Sequence, residues 1–215
     1  LTTRRQRQMC IRDSSYKHYD LEAVAIEETL KVLGDLVKEG KIRYVGLSNE
    51  TPWGLSEFIK AAEMHDLPKV VSVQNAYNLL NRIYESGMSE FHHRSQVGLL
   101  AYSPLAQGYL TGKYLDGARP PGARTTLFER GQRYETEQAE EIIRKYVNLA
   151  NEYSMDPALM ANSFVNDQDF VTSNIIGATT MEQLKIAVGS IDTKLDEECL
   201  KKIEEIHYGC PNPCP

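Results

Sequence analysis

Short apolar runs in this chain each end in a small polar or aromatic group, and a helical pattern follows each one. Lys41-Ile-Arg-Tyr-Val45 leads into Gly46-Leu-Ser-Asn49, and Val70-Val-Ser-Val73 into Gln74-Asn75. Gly98-Leu-Leu-Ala101 leads into Tyr102-Ser-Pro-Leu105, and Ser173-Asn-Ile-Ile-Gly177 forms a further run. A repeating strand, loop, helix order implies parallel strands joined by right-handed helical crossovers. In a parallel α/β barrel, functional side chains sit where strands end and loops begin. This pattern sets both the expected fold and the place to look for a site.

The periodicity puts parallel strands at about 41–47, 69–74, 97–102 and 173–177. Ile26, Leu30, Leu33 and Val37 share one helical face, with Gly40 as a stop signal. Helices are also expected over Trp53 to His65, Tyr84 to Ser95, Thr136 to Tyr153, Thr180 to Ser190 and Asp196 to His207, and one is expected to start at Asp156-Pro157. The segment 103–134 reads as a long loop rich in Gly, Pro and Arg, a length usual for lids and binding loops. No Gly-x-Gly-x-x-Gly is present, so the doubly wound dinucleotide fold has no support.

Two segments are expected. Residues 1–14 are polar, basic and aperiodic, and read as disordered or non-native. Arg5-Gln-Arg-Gln-Met-Cys-Ile-Arg-Asp-Ser14 resembles translated sequencing-adapter read-through, which would mean that the natural N-terminal part has been replaced. Residues 15–215 read as one partial barrel domain without a linker.

The net charge of -6 argues against nucleic acid as a partner. No apolar stretch approaches the roughly 20 residues of a membrane span. No apolar segment follows the basic N-terminus as a signal peptide would require, so a cytoplasmic protein is expected. Cys10, Cys199, Cys210 and Cys214 read as reduced surface thiols; Cys210-x3-Cys214 is the one spacing that could serve metal or redox chemistry.

The strand-end residues carry the chemistry. Ser48, Asn49 and Gln74 supply a hydroxyl and two amides, which suit a planar carboxamide that needs both donors and acceptors. Tyr102 is an aromatic plate for a flat heterocycle, or a core residue. Ser103, Gln107, Gly108, Leu110, Lys113 and Arg124 lie on the long loop. Gly177-Ala-Thr-Thr180 opens a helix, where backbone amides favour a phosphate. Lys113 and Arg124 would suit an additional phosphate, whereas Arg119 reads as a solvated loop charge. His92 and His93 read as exposed helix residues.

Gly46-Leu-Ser-Asn49, Gln74-Asn-Ala-Tyr77, Ala101-Tyr-Ser-Pro-Leu105 and Ile176-Gly-Ala-Thr-Thr-Met-Glu-Gln-Leu184 resemble the cofactor-binding half of the aldo-keto reductases. The likeness is greatest to the Tas-like and potassium-channel beta-subunit-like branch, which Pro211-Asn-Pro-Cys-Pro215 also fits. The resemblance implies the C-terminal half of a (β/α)8 TIM barrel and NADPH-dependent reduction of a small carbonyl substrate. By the same resemblance, Ser48, Asn49 and Gln74 hold the nicotinamide amide and Tyr102 stacks on its ring. Ser103, Leu105, Gln107, Lys113 and Arg124 line the pyrophosphate and ribose phosphate. Gly177, Thr179 and Gln183 hold the adenosine end.

The resemblance also has departures. The family's catalytic Asp, Tyr, Lys and His motifs are absent from this sequence, so no catalytic residue is assigned; His18, nearest in position, reads as a surface histidine. Ala187 stands where the family usually has Asn, and Asn166-Asp-Gln168 replaces a basic stretch, which weakens the expectation at the adenine end. Two readings follow: a fragment of an NADPH-dependent reductase that keeps most of the cofactor site, or a non-catalytic NADP(H)-binding half-barrel acting as a sensor or partner subunit. Either would leave open barrel edges for self-association.

Overall fold

The structure, a computed structural model, describes residues 24–128 and 132–214. Segment 1–14, Cys10 and His18 lie outside the described residues. The described residues divide into two compact units, 24–75 with 87–99 and 76–86 with those from 100 onward. Among the described residues, four strands form a sheet in the order β1-β2-β3-β4, with helices between them in sequence.

In the first unit, α1 (Ile26–Lys38) precedes β1 (Val45–Ser48). Leu30 on the expected face is fully buried. Gly34 on the same helix is buried too, because a Cβ there would lie 3.1 Å from Pro68. β1 starts at Val45 rather than at Lys41. The amides of Lys41 and Ile42 still bond back to the Leu36 carbonyl at 3.0 and 3.4 Å, so the chain is not yet free to pair as a strand.

Thr51 caps α2 (Pro52–Met64) by accepting from the Gly54 amide at 3.1 Å, and Pro52 occupies the first turn. β2 (Val70–Ala76) runs parallel to β1, with Gly46 opposite Ser72 and Ser48 opposite Gln74. A Cβ on Gly46 would stand 2.7 Å from the Ser72 hydroxyl, so these small and polar residues share one face of the strand pair. Val73 alternates with them and is fully buried on the other face, whereas Val71 is left exposed.

A single helix over Tyr84 to Ser95 does not form. Gly87 has φ +107°, outside the helical range. It separates a 3-10 turn at Ile83–Glu85 from α3 (Ser89–Ser95). His93 on α3 is exposed as expected; His92 is half-buried, with Nδ1 out of solvent.

β3 (Gly98–Tyr102) begins in the first unit and ends in the second, where it opens the long loop. The loop carries short helical pieces, among them Ala106–Thr111 and α4 (Arg124–Phe128). The rings of Tyr109 and Tyr114 lie 4.6 Å apart and those of Tyr109 and Tyr134 5.3 Å apart, so the loop folds onto aromatic contacts of its own.

α5 (Glu137–Glu152) is capped by Thr136; of the expected stripe Ile142, Ile143, Tyr146, Val147 and Ala150 it buries all but Val147, which is half-buried. α6 (Pro157–Asn166) is capped by Asp156, which accepts from the Ala158 amide at 2.7 Å. β4 is Val171–Ile175, two residues earlier than expected. α7 (Met181–Gly189) is capped by Thr180, and α8 (Glu197–Gly209) by Asp196. Each fully buried Leu, such as Leu79, Leu80 and Leu110 of this unit, contributes about 1.5–3 kcal/mol of apolar burial.

The cysteines depart from expectation. Cys199 and Cys214 are buried rather than on the surface, and Cys210 is half-buried; all of them are free thiols. Cys199 sits on the inward face of α8, and the chain's return at 211–214 folds Cys214 into the interior. Burial pushes the Cys214 thiol up to about 12.

Candidate functional site

In the first unit the expected residues Ser48, Asn49 and Gln74 come together where β1 and β2 end. Ser48 and Gln74 pair in register, and the Asn49 amide donates to the Gln74 carbonyl at 3.0 Å. Asn49 has φ +54°, a left-handed turn that Asn tolerates better than most residues and that takes the chain off the strand end. Glu50 follows, and sequence reasoning gave it no role. Its amide donates to Asn75 Oδ1 at 3.2 Å and its carbonyl accepts from Asn75 Nδ2 at 3.1 Å. Its carboxylate accepts from the Thr51 amide at 2.9 Å and lies where a Cβ of Gly54 would be. The polar strand ends are therefore latched to each other before the helix begins.

In the second unit, Tyr102 ends β3, and its carbonyl accepts from the Tyr77 amide at 3.3 Å. Ser103 takes φ +57°. Ala106, Gln107 and Gly108 are three successive positive-φ residues at +48°, +58° and +98°. The Leu105 carbonyl accepts from Gly108 at 2.8 Å and Leu110 at 3.2 Å, closing this segment on itself. Lys113 crosses Gly108: a Cβ there would meet its Nζ at 3.1 Å, and Nζ stands 5.2 Å above the Tyr114 ring.

The Thr125 amide donates to the Tyr114 hydroxyl at 3.2 Å, so the neighbours of Lys113 and Arg124 are bonded to each other. Arg124 itself is exposed. Arg119 is exposed, as expected of a solvated loop charge, and it also pairs with Glu135 at 2.8 Å, which accepts from the Tyr109 hydroxyl.

Gly177 and Thr179 lie exposed between β4 and α7. The Gln183 carboxamide is engaged locally. Its Oε1 accepts from the Thr179 amide at 2.8 Å and hydroxyl at 3.1 Å, while the Gln183 amide donates to Thr180 Oγ1 at 3.3 Å. This resembles a capping box and orders the helix start.

The residues at which the sequence departs from the family pattern have structural work of their own. Asn166 accepts from Asn174 at 2.9 Å and donates to the Ser190 hydroxyl at 2.8 Å. Asp167 pairs with Lys194, and Gln168 donates to the Phe164 carbonyl at 2.9 Å. Ala187 is buried.

The second-unit loop has features that fit a polar ligand. Gln107 Oε1 is buried and has no hydrogen-bond partner among the described residues, a state that normally costs free energy. Gly108 keeps the backbone open beside a lysine ammonium, and a Cβ on Gly177 would meet nothing within 4 Å. The glutamine carbonyl accepts and the lysine ammonium donates, a pair of the kind that can meet an amide group and a phosphate. Among the described residues, no group of His, Cys, Asp and Glu could hold a metal ion, and no helix is long and apolar enough to cross a membrane.

Two further groups were not anticipated. Asn78 is fully buried and donates to the Ser103 carbonyl at 3.0 Å. Arg82 is buried and bonds Glu85 at 2.7 and 2.9 Å and Glu204 at 2.8 Å, with its guanidinium 5.1 Å above the Phe164 ring. Tyr77 donates to Glu85, and burial with that neighbouring carboxylate raises its pKa well above the usual range. The only advance signal was polar residues inside an otherwise apolar stretch, 77–84, which reads equally well as a turn.

Parallel strands joined through helices, with polar side chains collected at strand ends, define an α/β protein of the parallel-sheet class. The sequence profile of the Aldo/keto reductase family matches residues 11–207, and the chain belongs to that family. It is 47% identical over 193 residues to Protein tas of Escherichia coli K12, covering 90% of this chain and 56% of that protein. It is 38% identical over 202 residues to an aldo-keto reductase of Babesia bovis, covering 90% of this chain and 71% of that protein. To the L-glyceraldehyde 3-phosphate reductase of E. coli K12 it is 34% identical over 188 residues, 84% of this chain and 53% of that one. The chain spans about half the length of most of these curated relatives.

Proposed function

We propose that this chain is the cofactor-binding part of an NADPH-dependent carbonyl reductase, and that by itself it binds NADPH without turning over a carbonyl. Ser48, Asn49 and Gln74 hold the nicotinamide carboxamide, and Tyr102 stacks on the ring. Ser103, Leu105, Gln107, Lys113 and Arg124 line the phosphates, and Gly177, Thr179 and Gln183 the adenosine end. NADPH supplies a hydride when bound. The residues named here bind and orient; none of them is a proton donor suited to a carbonyl oxygen.

The observation that carries this reading is the buried Gln107 Oε1, a hydrogen-bond acceptor that lacks a polar partner, beside Gly108 and Lys113. Family membership supports the class of reaction. The absence of turnover rests on the sequence, which lacks the family's catalytic Asp, Tyr, Lys and His motifs and with them the general acid. General acid help of this kind is worth about 10²–10⁴-fold in rate.

The test is calorimetric titration with NADPH, followed by an NADPH-oxidation assay against a panel of aldehydes. Binding without oxidation is expected. Steady oxidation by the purified chain overturns the non-catalytic part, and absence of any NADPH binding overturns the cofactor part.

A further inference from the structure

Asn78 spends every polar group it has inside the protein. It is fully buried. Its amide donates to the Asn81 carbonyl at 3.1 Å, and its carbonyl accepts from the Asn81 amide at 2.9 Å. Its side-chain Oδ1 accepts from the Leu80 amide at 2.9 Å, and Nδ2 donates to the Ser103 carbonyl at 3.0 Å. A short carboxamide is the side chain that can accept on one side and donate on the other at this reach.

The carbonyl it holds belongs to a residue in an unfavourable conformation. Ser103 has φ +57°, which a non-glycine residue keeps only when its surroundings over-determine it. Two donors meet at its carbonyl, Asn78 Nδ2 and the Ala106 amide at 2.9 Å. The preceding carbonyl, of Tyr102, accepts from Tyr77. Adjacent residues 77 and 78 thus hold the adjacent carbonyls of 102 and 103.

The 77–82 segment is itself held from the chain's far end. The Cys214 amide donates to the Leu80 carbonyl at 3.2 Å, and the Arg82 amide donates to Asn212 Oδ1 at 2.6 Å. Asn212 sits at φ +49°, which turns the chain back onto this segment. Arg82 is clamped in turn by Glu85 and by Glu204 of α8.

We infer that Asn78 is a positioning residue for the Tyr102–Ser103 turn, and that the C-terminal strap Asn212–Cys214 holds Asn78 in place. Its functional meaning rests on the reading above, in which Tyr102 and Ser103 meet the nicotinamide and pyrophosphate. A buried carboxamide, rather than a residue touching the ligand, sets the turn that presents them.

The experiment uses the full chain and two variants, Asn78→Asp and Asn212→Gly. Asn78→Asp keeps the acceptor for Leu80 and removes the donor to Ser103; Asn212→Gly keeps the left-handed turn and removes the strap's side-chain bond to the Arg82 amide. Amide hydrogen exchange without ligand is read at Tyr77 and Ala106, with Ile143 and Tyr146 of α5 as the internal reference. Exchange about tenfold faster at Tyr77 and Ala106, with α5 unchanged, is expected for Asn78→Asp, and the same pattern more weakly for Asn212→Gly.

A second arm compares binding of NADPH with binding of adenosine 2′,5′-bisphosphate, which lacks the nicotinamide and pyrophosphate. Asn78→Asp should weaken NADPH about tenfold and leave the bisphosphate unchanged. Unchanged exchange at Tyr77 and Ala106 in Asn212→Gly, together with unchanged exchange or uniform acceleration in Asn78→Asp, overturns the inference. Equal weakening of both ligands overturns its functional half. If the unmodified chain shows the exchange pattern but binds no NADPH, the cofactor reading fails while the positioning of the turn stands.

Discussion

Glu50 and Asn75 exchange two hydrogen bonds where β1 and β2 end, the Glu50 amide to Asn75 Oδ1 at 3.2 Å and Asn75 Nδ2 to the Glu50 carbonyl at 3.1 Å. Both partners are half-buried, so water replaces these bonds only in part. Asn75→Ala should therefore destabilise the chain by about 1–2 kcal/mol. Urea unfolding gives the value; a variant within experimental error of the parent would show that the latch contributes nothing.

Lys113 and Arg124 should select the phosphorylated cofactor, because phosphate bonded to cations gains charge-assisted hydrogen bonds. Arg124→Ala should weaken NADPH by about tenfold or more while altering NADH binding little. Parallel titrations decide it, and equal losses on both cofactors would remove Arg124 from the phosphate clamp.

Alkali should destabilise the protein in a defined window. Burial pushes Tyr84 up to about 12 from its ordinary 10, and the Cys214 thiol up to about 12 from 9. The unfolded chain gives up these protons first, so from about pH 9 to about pH 12 it binds fewer protons than the native state and stability falls as pH rises. Below about pH 9 the contribution is fully present. Urea midpoints that stay flat to pH 11 would contradict the burial of these groups. Iodoacetamide labelling of the native protein should reach Cys210 well before Cys214.

The apolar residues left exposed in the second unit predict self-association. On α7, Met181 and Val188 are 61% and 54% exposed, with Leu184 between them on the same face, and Ile191 just beyond is 67% exposed. Among the described residues β4 ends the sheet, and an unpaired edge is a template for pairing. Sedimentation velocity should show concentration-dependent association that Val188→Lys with Ile191→Lys reduces. A concentration-independent monomer would rule out this surface as a contact.

Much of the architecture was legible from local chemistry. Thr51, Thr136, Asp156, Thr180 and Asp196 each cap the helix that the pattern placed after them. The cap is a bond between a side chain and an amide two or three residues on, so its information lies within a few positions of sequence. The grouping of Ser48 and Asn49 with Gln74 was legible for a related reason: parallel strands in a strand–helix repeat align their C-terminal ends. The boundaries were less so. Nothing local marks that Lys41 and Ile42 still bond to Leu36, or that Gly87 would adopt φ +107° and divide a helix.

What the sequence by itself determined was the order of elements, the caps, and the polar residues at strand ends, since all of these follow from periodicity and near-neighbour bonds. Tertiary structure alone decided that Asn78 reaches Ser103, that Arg82 joins Glu204, and that the tail returns through Asn212 and Cys214 to the 80–82 segment. Those partners stand 25, 122 and at least 130 residues apart along the chain. A buried polar group must find a partner wherever the fold brings one, and sequence spacing carries no record of which one that is.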